Sequence, residues 1–421
     1  VSAQTVTETQ PGGRWRLLGD PAVRSLIAAT AAVGVAGAFV VPTTSLFLTE
    51  AVTATPLMVG LFFAARSIAE IGTDVVVGAV SDRLRNRRTI LVLTALCNTA
   101  GALCYTFLRD YYLLLLTGMV CFGLGGACFG QLFAYTRELA DERGVDAPFF
   151  NGFLRSVTSL AWVIGPPLAF WLVARWSFAA LYATTAVLSL LAAALCRWGL
   201  PRPGTAQDAE EGEEPPGLLG MFRGVGLRTV LVLGSVVLLL GANTMYQIDL
   251  PLHITEELDM SAQFAGLLLG VSAALEIPLM VLVGVWADRL GKKRLMIAAT
   301  VCATVFFALL PLTHSRPLLI ALQPLNAAWA AVALNIPVVM LQDSLPGRFG
   351  TASALYSSAF KAGTFLGGLV VGTVATWTGY AQVFWVCAGL TALSGLLVLL
   401  LRAAPADQPL DPVRPHEGST A

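Results

Sequence analysis

Arg66, Glu70 and Asp74 stand four residues apart in a stretch that is otherwise largely apolar. In a helix this spacing puts all three on one stripe, where Arg66 can pair with Glu70. Glu276 is a lone carboxylate in a second apolar stretch, Asp249 lies towards the end of a third, and Arg155 and Lys361 interrupt two more. Carboxylates in such surroundings can carry a proton or accept hydrogen bonds from hydroxyl groups. The plainer alternative is a set of ion pairs that brace helices. Asn243, Gln247, Gln131, Gln323, Asn326 and Asn335 add paired donors and acceptors. Trp162, Trp329 and Tyr246 add aromatic faces. Neutral polar groups beside aromatic rings suit a hydroxyl-rich solute better than a lipophilic cation.

The elements that must position these residues are membrane helices. The chain has 421 residues, of which 56% are hydrophobic and 12% charged. Soluble domains carry about 25% charged residues. A charged group at mid-bilayer costs at least about 2.5–3.5 kcal/mol, so those present are expected to face a polar interior. Apolar windows of about 20 residues, the length that crosses a bilayer, predict twelve spans near 23–48, 58–80, 89–108, 112–136, 149–174, 178–199, 229–253, 264–286, 295–312, 317–342, 351–376 and 381–401. The seven cysteines lie within apolar runs, form no CxxC pair and read as small buried hydrophobes.

This divides the chain into an N-terminal segment (1–22), a first six-helix bundle (23–199), a linker (200–228), a second six-helix bundle (229–401) and a tail (402–421). The linker holds Glu210, Glu211, Glu213 and Glu214 among four prolines, a composition that cannot bury a core. The first twenty residues lack the apolar region of a signal peptide, so the first span is expected to act as its own insertion signal. Arginines and lysines gather at the N-terminus, in the linker and in every second connection, whereas the opposite side holds Arg109, Arg175 and Arg316. The positive-inside rule then puts both termini in the cytoplasm of a multi-pass cytoplasmic-membrane protein. Trp171, Trp176, Trp377 and Trp385 fall near one interface, and Trp198 and Trp286 near the other.

The two bundles repeat one another at an offset of 206 residues. Asp82-Arg83-Leu84 recurs as Asp288-Arg289-Leu290, Glu70-Ile71 as Glu276-Ile277, Thr49-Glu50 as Thr255-Glu256, Gly60 as Gly266, and Arg155 as Lys361. A long-period repeat in an apolar chain points to two homologous membrane halves around a shared midplane site, the arrangement of a transporter.

Two connections carry the same motif. Gly78-Ala-Val-Ser-Asp82-Arg83-Leu-Arg-Asn-Arg87-Arg88 and Gly284-Val-Trp-Ala-Asp288-Arg289-Leu-Gly291-Lys292-Lys293-Arg294 both resemble the G-x-x-x-D-R-x-G-R/K-R/K loop signature of the major facilitator superfamily. The first copy has Arg85 where the signature has glycine. Ala161-Trp-Val-Ile-Gly165-Pro166-Pro167-Leu-Ala-Phe170, Asn243-Thr-Met-Tyr246-Gln247-Ile-Asp249-Leu-Pro251 and Leu275-Glu276-Ile-Pro278 resemble segments of bacterial sugar efflux transporters. That resemblance implies a twelve-helix, all-α facilitator fold and proton-coupled export of small sugars or glycosides. It favours Glu276 and Asp249 as site residues, and with the neutral polar and aromatic residues above the expected substrate contacts are Asn243, Tyr246, Gln247, Asp249, Glu276, Trp162, Gln131, Asn326 and Trp329. Arg66, Glu70, Asp74, Glu276, Arg155 and Lys361 would form the intramembrane charge system. Gly78, Asp82, Arg83, Arg137, Gly284, Asp288 and Arg289 would form a cytoplasmic gate. The arginine that facilitator antiporters carry in span four has no counterpart, since Leu113 to Phe133 contain no cation.

No Walker sequence, HExxH or metal-spaced Cys/His cluster occurs, and Gly126/Gly130 and Gly368/Gly372 read as helix-packing seams rather than phosphate loops. His253 and His314 read as isolated residues of outer loops. The expected protein is a monomeric transporter without a cofactor, with the bilayer, a sugar and protons as partners, and with no nucleic acid. A multidrug exporter of the same fold is the nearest competing reading; a membrane sensor or scaffold that transports nothing is the competitor from another class.

Overall fold

A polar backbone inside hydrocarbon has to satisfy its hydrogen bonds within each segment, which leaves helices as the natural form of these apolar runs. The computed structural model describes residues 19–84, 87–143, 147–201, 226–345 and 349–401. Its helices are α1 (Pro21–Glu50), α2 (Pro56–Leu84), α3 (Arg87–Phe107), α4 (Tyr111–Thr117), α5 (Gly123–Glu142), α6 (Ala147–Arg175), α7 (Phe178–Ala194), α8 (Leu227–Leu252), α9 (Ala262–Leu290), α10 (Lys292–Leu309), α11 (Arg316–Ala321), α12 (Gln323–Ser344), α13 (Phe349–Thr378) and α14 (Tyr380–Leu400). Helices α4 and α5 join through a π-helical turn, Gly118–Phe122, into one span. Helices α11 and α12 make another. The described residues thus contain twelve segments long and apolar enough to cross a membrane. The predicted linker and tail fall mostly at 202–225 and 402–421, outside the described residues.

Helix ends follow local chemistry. The Asp20 carboxylate accepts from the Ala22 amide at 2.8 Å, with Pro21 at the first helical position. Asp110 accepts from Leu113 N at 2.9 Å to start α4, and Ser177 from Ala180 N at 3.2 Å to start α7. Within the spans, Thr30, Thr94, Thr136 and Thr185 each return their hydroxyl proton to the carbonyl four residues earlier. Those side chains can therefore sit in apolar surroundings. Gly291 precedes α10 with φ 85°, a left-handed conformation suited to glycine, which accounts for the glycine of the loop signature. Its counterpart in the first copy, Arg85, lies outside the described residues.

The chain forms two compact units. The first holds the described residues up to 201 together with 247–270; the second holds 226–246 and 271–401. In the first unit α3 packs on α7 and α5, and α1 on α6 and α7. Val23, Leu26, Leu91, Cys128, Leu154 and Cys196 form its core towards the arginine-rich ends. Towards the opposite ends, Phe47, Phe62, Tyr105, Phe122 and Tyr182 make an aromatic cluster. Tyr105 donates its hydroxyl proton to Leu114 O at 3.1 Å, and a Cβ at Gly118 would meet that hydroxyl at 2.5 Å. In the second unit α10 packs on α14 and α12, the copies of α7 and of α5. The sequence repeat is thus a repeat of packing.

Helices approach closely where α13 crosses α8 and where Gly266 and Gly270 of α9 meet Pro166 O and Val163 O of α6. A Cβ on Gly363 would lie 2.8 Å from Gly241 N, and one on Gly367 would lie 2.9 Å from Gly241 O. Gly126 and Gly130 differ from the seam expected of them: a Cβ at either would meet nothing within 4 Å. Three of the seven cysteines are buried, and the other four, Cys97, Cys104, Cys121 and Cys302, are only half-buried.

Because association in lipid depends on such contacts rather than on water release, Gly363→Ala should destabilise the protein by about 1–3 kcal/mol. Gly389→Ala, where the added methyl meets nothing within 4 Å, should be neutral or gain up to about 1 kcal/mol from helix propensity. Thermal unfolding of both purified variants in detergent checks the pair, and equal melting temperatures would contradict the seam.

Candidate functional site

The first unit encloses a cavity of about 170 Å³. Arg66, Asn98, Trp162, Thr185 and Ser189 supply its polar and aromatic lining, and Phe122 and Phe129 part of its apolar wall. Gly126 also lines it, which is why that glycine has open space rather than a neighbour. Arg66 is held from within its own helix and Asn98 from α5. Arg66 Nε donates to Glu70 Oε1 at 2.8 Å, and its guanidinium lies 5.4 Å from the Phe122 ring centroid. Asn98 Nδ2 donates to Gly125 O at 3.0 Å, a contact that requires glycine there because a Cβ would collide with the amide. The local Arg66–Glu70 pairing expected from spacing is present. Asp74, two turns from Arg66, is exposed. Asn98, Thr185 and Ser189 escaped the sequence reading. Asn98 could have been found, as an amide in an apolar helix; the hydroxyl residues could not, since most such groups in these spans bond back to their own helix.

The second unit contains a buried polar chain. Tyr246 donates to Gln323 Oε1 at 3.3 Å, and Gln323 Nε2 to Leu319 O at 3.0 Å. Asn326 Nδ2 donates to Ser272 Oγ at 2.8 Å, and Trp329 Nε1 to Asn326 Oδ1 at 2.9 Å. All five side chains are buried. The two mid-span tryptophans therefore have different surroundings: Trp162 faces a cavity, whereas Trp329 is packed against Phe307 with its ring N–H engaged. Asn243 and Gln247 are half-buried on α8, and Gln131 is half-buried on α5.

Glu276 is half-buried on α9, and no ion pair or hydrogen bond to its side chain occurs among the described residues. The repeat explains the contrast with Glu70: the position matching Arg66 is Ser272, which is occupied by Asn326. Asp249 is 0% exposed, and neither of its carboxylate oxygens has a hydrogen-bond partner among the described residues. His253 is not a loop residue. The π-helical turn His253–Glu257 carries α8 onward, and it buries the imidazole, whose Nδ1 lies 2.7 Å from Glu257 Oε2. The matched cations also part company, with Arg155 exposed and Lys361 half-buried.

Of the expected gate residues, Gly284, Arg289 and Arg137 are exposed, while Gly78, Asp82 and Arg83 fall in α2 and Asp288 in α9. Each unit nonetheless ties the start of one helix to the end of the next-packed one. Arg87 of α3 pairs with Glu138 of α5, and Lys292 of α10 pairs with Asp343 of α12. Lys293 adds a bond to Leu399 O at 3.0 Å.

Comparison with known proteins agrees with this architecture. The family model described as Major Facilitator Superfamily matches residues 26–248 and 231–419. Sugar efflux transporter A of Escherichia coli (strain K12) is 35% identical over 362 residues, 86% of this chain and 91% of that protein. Sugar efflux transporter B of Salmonella typhimurium is 35% identical over 352 residues, 84% of this chain and 88% of that protein. The crystal structure of the nucleoside transporter NupG aligns with a TM-score of 0.77 at 15% identity, over 90% of this chain and 98% of that chain, a likeness of fold. Matched repeats, twelve apolar helices and relatives over most of its length lead to one assignment: this chain belongs to the major facilitator superfamily and, within it, to the bacterial sugar efflux transporters.

Proposed function

We propose that this multi-pass protein exports small sugars or glycosides against protons by alternating access, as a monomer of the cytoplasmic membrane with both termini inside. The lining of the first-unit cavity carries the reading. An amide, two hydroxyls, a guanidinium neutralised by its own glutamate and an indole face suit a neutral polyol, and the cavity offers no bare charge for a lipophilic cation. The names of the relatives support the same substrate class. The arginine-rich helix ends support the orientation. In this reading Trp162, Asn98 and Arg66 touch the sugar, with Gln131, Asn243 and Gln247 as further polar contacts. Tyr246, Asn326 and Trp329 serve chiefly to hold their helices. Glu276 is the coupling carboxylate, with Glu70 and Asp74 on α2 and Arg155 and Lys361 completing the charge system. The loop motifs, through Asp82 and Asp288 and aided by the Arg87–Glu138 and Lys292–Asp343 pairs, hold the cytoplasmic side.

Radiolabelled counterflow in proteoliposomes tests the substrate class. Mono- or disaccharides should exchange and lipophilic cations should not; cation exchange with no sugar exchange would establish the drug-exporter alternative instead. Glu276→Gln should retain counterflow yet lose acceleration by a pH gradient, and a variant accelerated like the parent would remove Glu276 from coupling.

The two tryptophans give a second test. Trp162→Ala should weaken sugar affinity roughly two- to tenfold, the loss of one stacking contact worth about 0.5–1.5 kcal/mol. Trp329→Phe should leave affinity nearly unaltered and lower stability by about 1–3 kcal/mol, because Asn326 Oδ1 loses its donor. Sugar-dependent fluorescence quenching and thermal unfolding separate these effects, and reversed outcomes would move the site to the second unit.

A further inference from the structure

Asp249, His253 and Glu257 stand at i, i+4 and i+8 where α8 passes into its π-helical turn. Helical side chains lean towards the N-terminus, each over the turn before it. Glu257 does so: its carboxylate reaches back to His253 Nδ1 at 2.7 Å. The same lean directs His253 towards Asp249, one turn earlier and about 6 Å along the axis between backbone positions. Exposure falls along the row, from 29% for the Glu257 side chain to 2% for His253 and 0% for Asp249. One end is therefore partly exposed at the last residue of the span, and the other ends in a carboxyl group with both oxygens unpartnered among the described residues.

Ordinary bracing accounts for the His253–Glu257 contact but not for Asp249. Burying a carboxylate without a partner costs several kcal/mol, a penalty that a bound proton removes. No cation forms an ion pair with Asp249 among the described residues, and the charged group within Coulomb range of it is Glu257. The neighbouring Glu256 is instead coupled to Glu50 at the end of α1. Nor is the row part of the repeat, whose matching positions are Thr43 and Phe47 in α1 and Ala51 just after it. The π turn is a further mark, since such insertions are frequent at functional sites.

We propose that Glu257, His253 and Asp249 form a proton relay between the outer solution and a protonatable carboxyl inside the seventh span. Glu257 takes a proton from water and passes it to Nδ1 of His253; its O–H bond breaks as the N–H bond forms. The imidazolium then releases its Nε2 proton to an Asp249 oxygen, and ring rotation restores the starting tautomer. No electron is exchanged. The relay rests on the proton-coupling reading above, and gives that reading a route by which outside pH reaches the interior.

Infrared difference spectroscopy of the purified, lipid-reconstituted protein tests it without relying on transport. A pH step should produce a protonated-carboxyl band that Asp249→Asn removes and Asp249→Glu, which keeps the acid, shifts. Hydrogen–deuterium exchange of that band should slow roughly tenfold or more in His253→Gln, and Glu257→Gln should slow it in the same sense. In proteoliposomes the ratio of pH-driven flux to counterflow should fall by a similar factor in His253→Gln. Absence of an Asp249 band, or exchange equally fast in both relay variants, overturns the proposal. Should the parent protein ignore the pH gradient while His253→Gln still slows exchange, the relay stands and the coupling reading fails.

Discussion

Hydrocarbon offers no hydrogen-bond partners, and the rest of this structure follows from that constraint. Every backbone donor and acceptor in a span has to be met within its own helix, and every polar side chain needs a partner, a cavity or a proton. Threonine and serine meet the requirement locally, by returning their protons to the preceding turn. Arg66 meets it with Glu70, and Trp329 with Asn326. What remains after these pairings is informative. Glu276 and Asp249 are acids without an ion-pair partner among the described residues, and each lies in a segment that resembles the sugar exporters.

The same constraint gives the two units their different character. In the first, polar groups on α2, α3, α6 and α7 surround an open volume, and their bonds are few enough to leave capacity for a ligand. In the second, the Gln323 and Asn326 amides of α12 are consumed by one another and by Tyr246, Ser272 and Trp329. A repeat that preserves helices need not preserve chemistry. Arg66 is copied as a serine, and the vacated space is taken by Asn326. Only the shared glutamate remains, paired in one copy and without an ion-pair partner among the described residues in the other.

Packing economy appears in the glycines. Gly363 and Gly367 admit the backbone of α8, Gly118 admits the Tyr105 hydroxyl, and Gly125 admits the Asn98 amide. Gly126 and Gly130 share the small-xxx-small spacing with true seams yet face open space. Spacing alone cannot separate the two uses, because a glycine that borders a cavity and one that accepts a neighbouring helix have the same local sequence.

From residues alone came the class, the twelve spans, the internal repeat and the Arg66–Glu70 pair. These depend on composition, periodicity and separation along one helix, all of which a linear chain displays. Tertiary structure alone decided that Trp162 borders a cavity while Trp329 is locked to Asn326. It also decided that Asn98, Thr185 and Ser189 converge, and that His253 is buried in a continued helix rather than set in a loop. Such outcomes depend on the rotation of each helix about its axis and on where an α-helix loosens into a π turn. Both are settled by contacts between residues distant in sequence, and no local pattern records them.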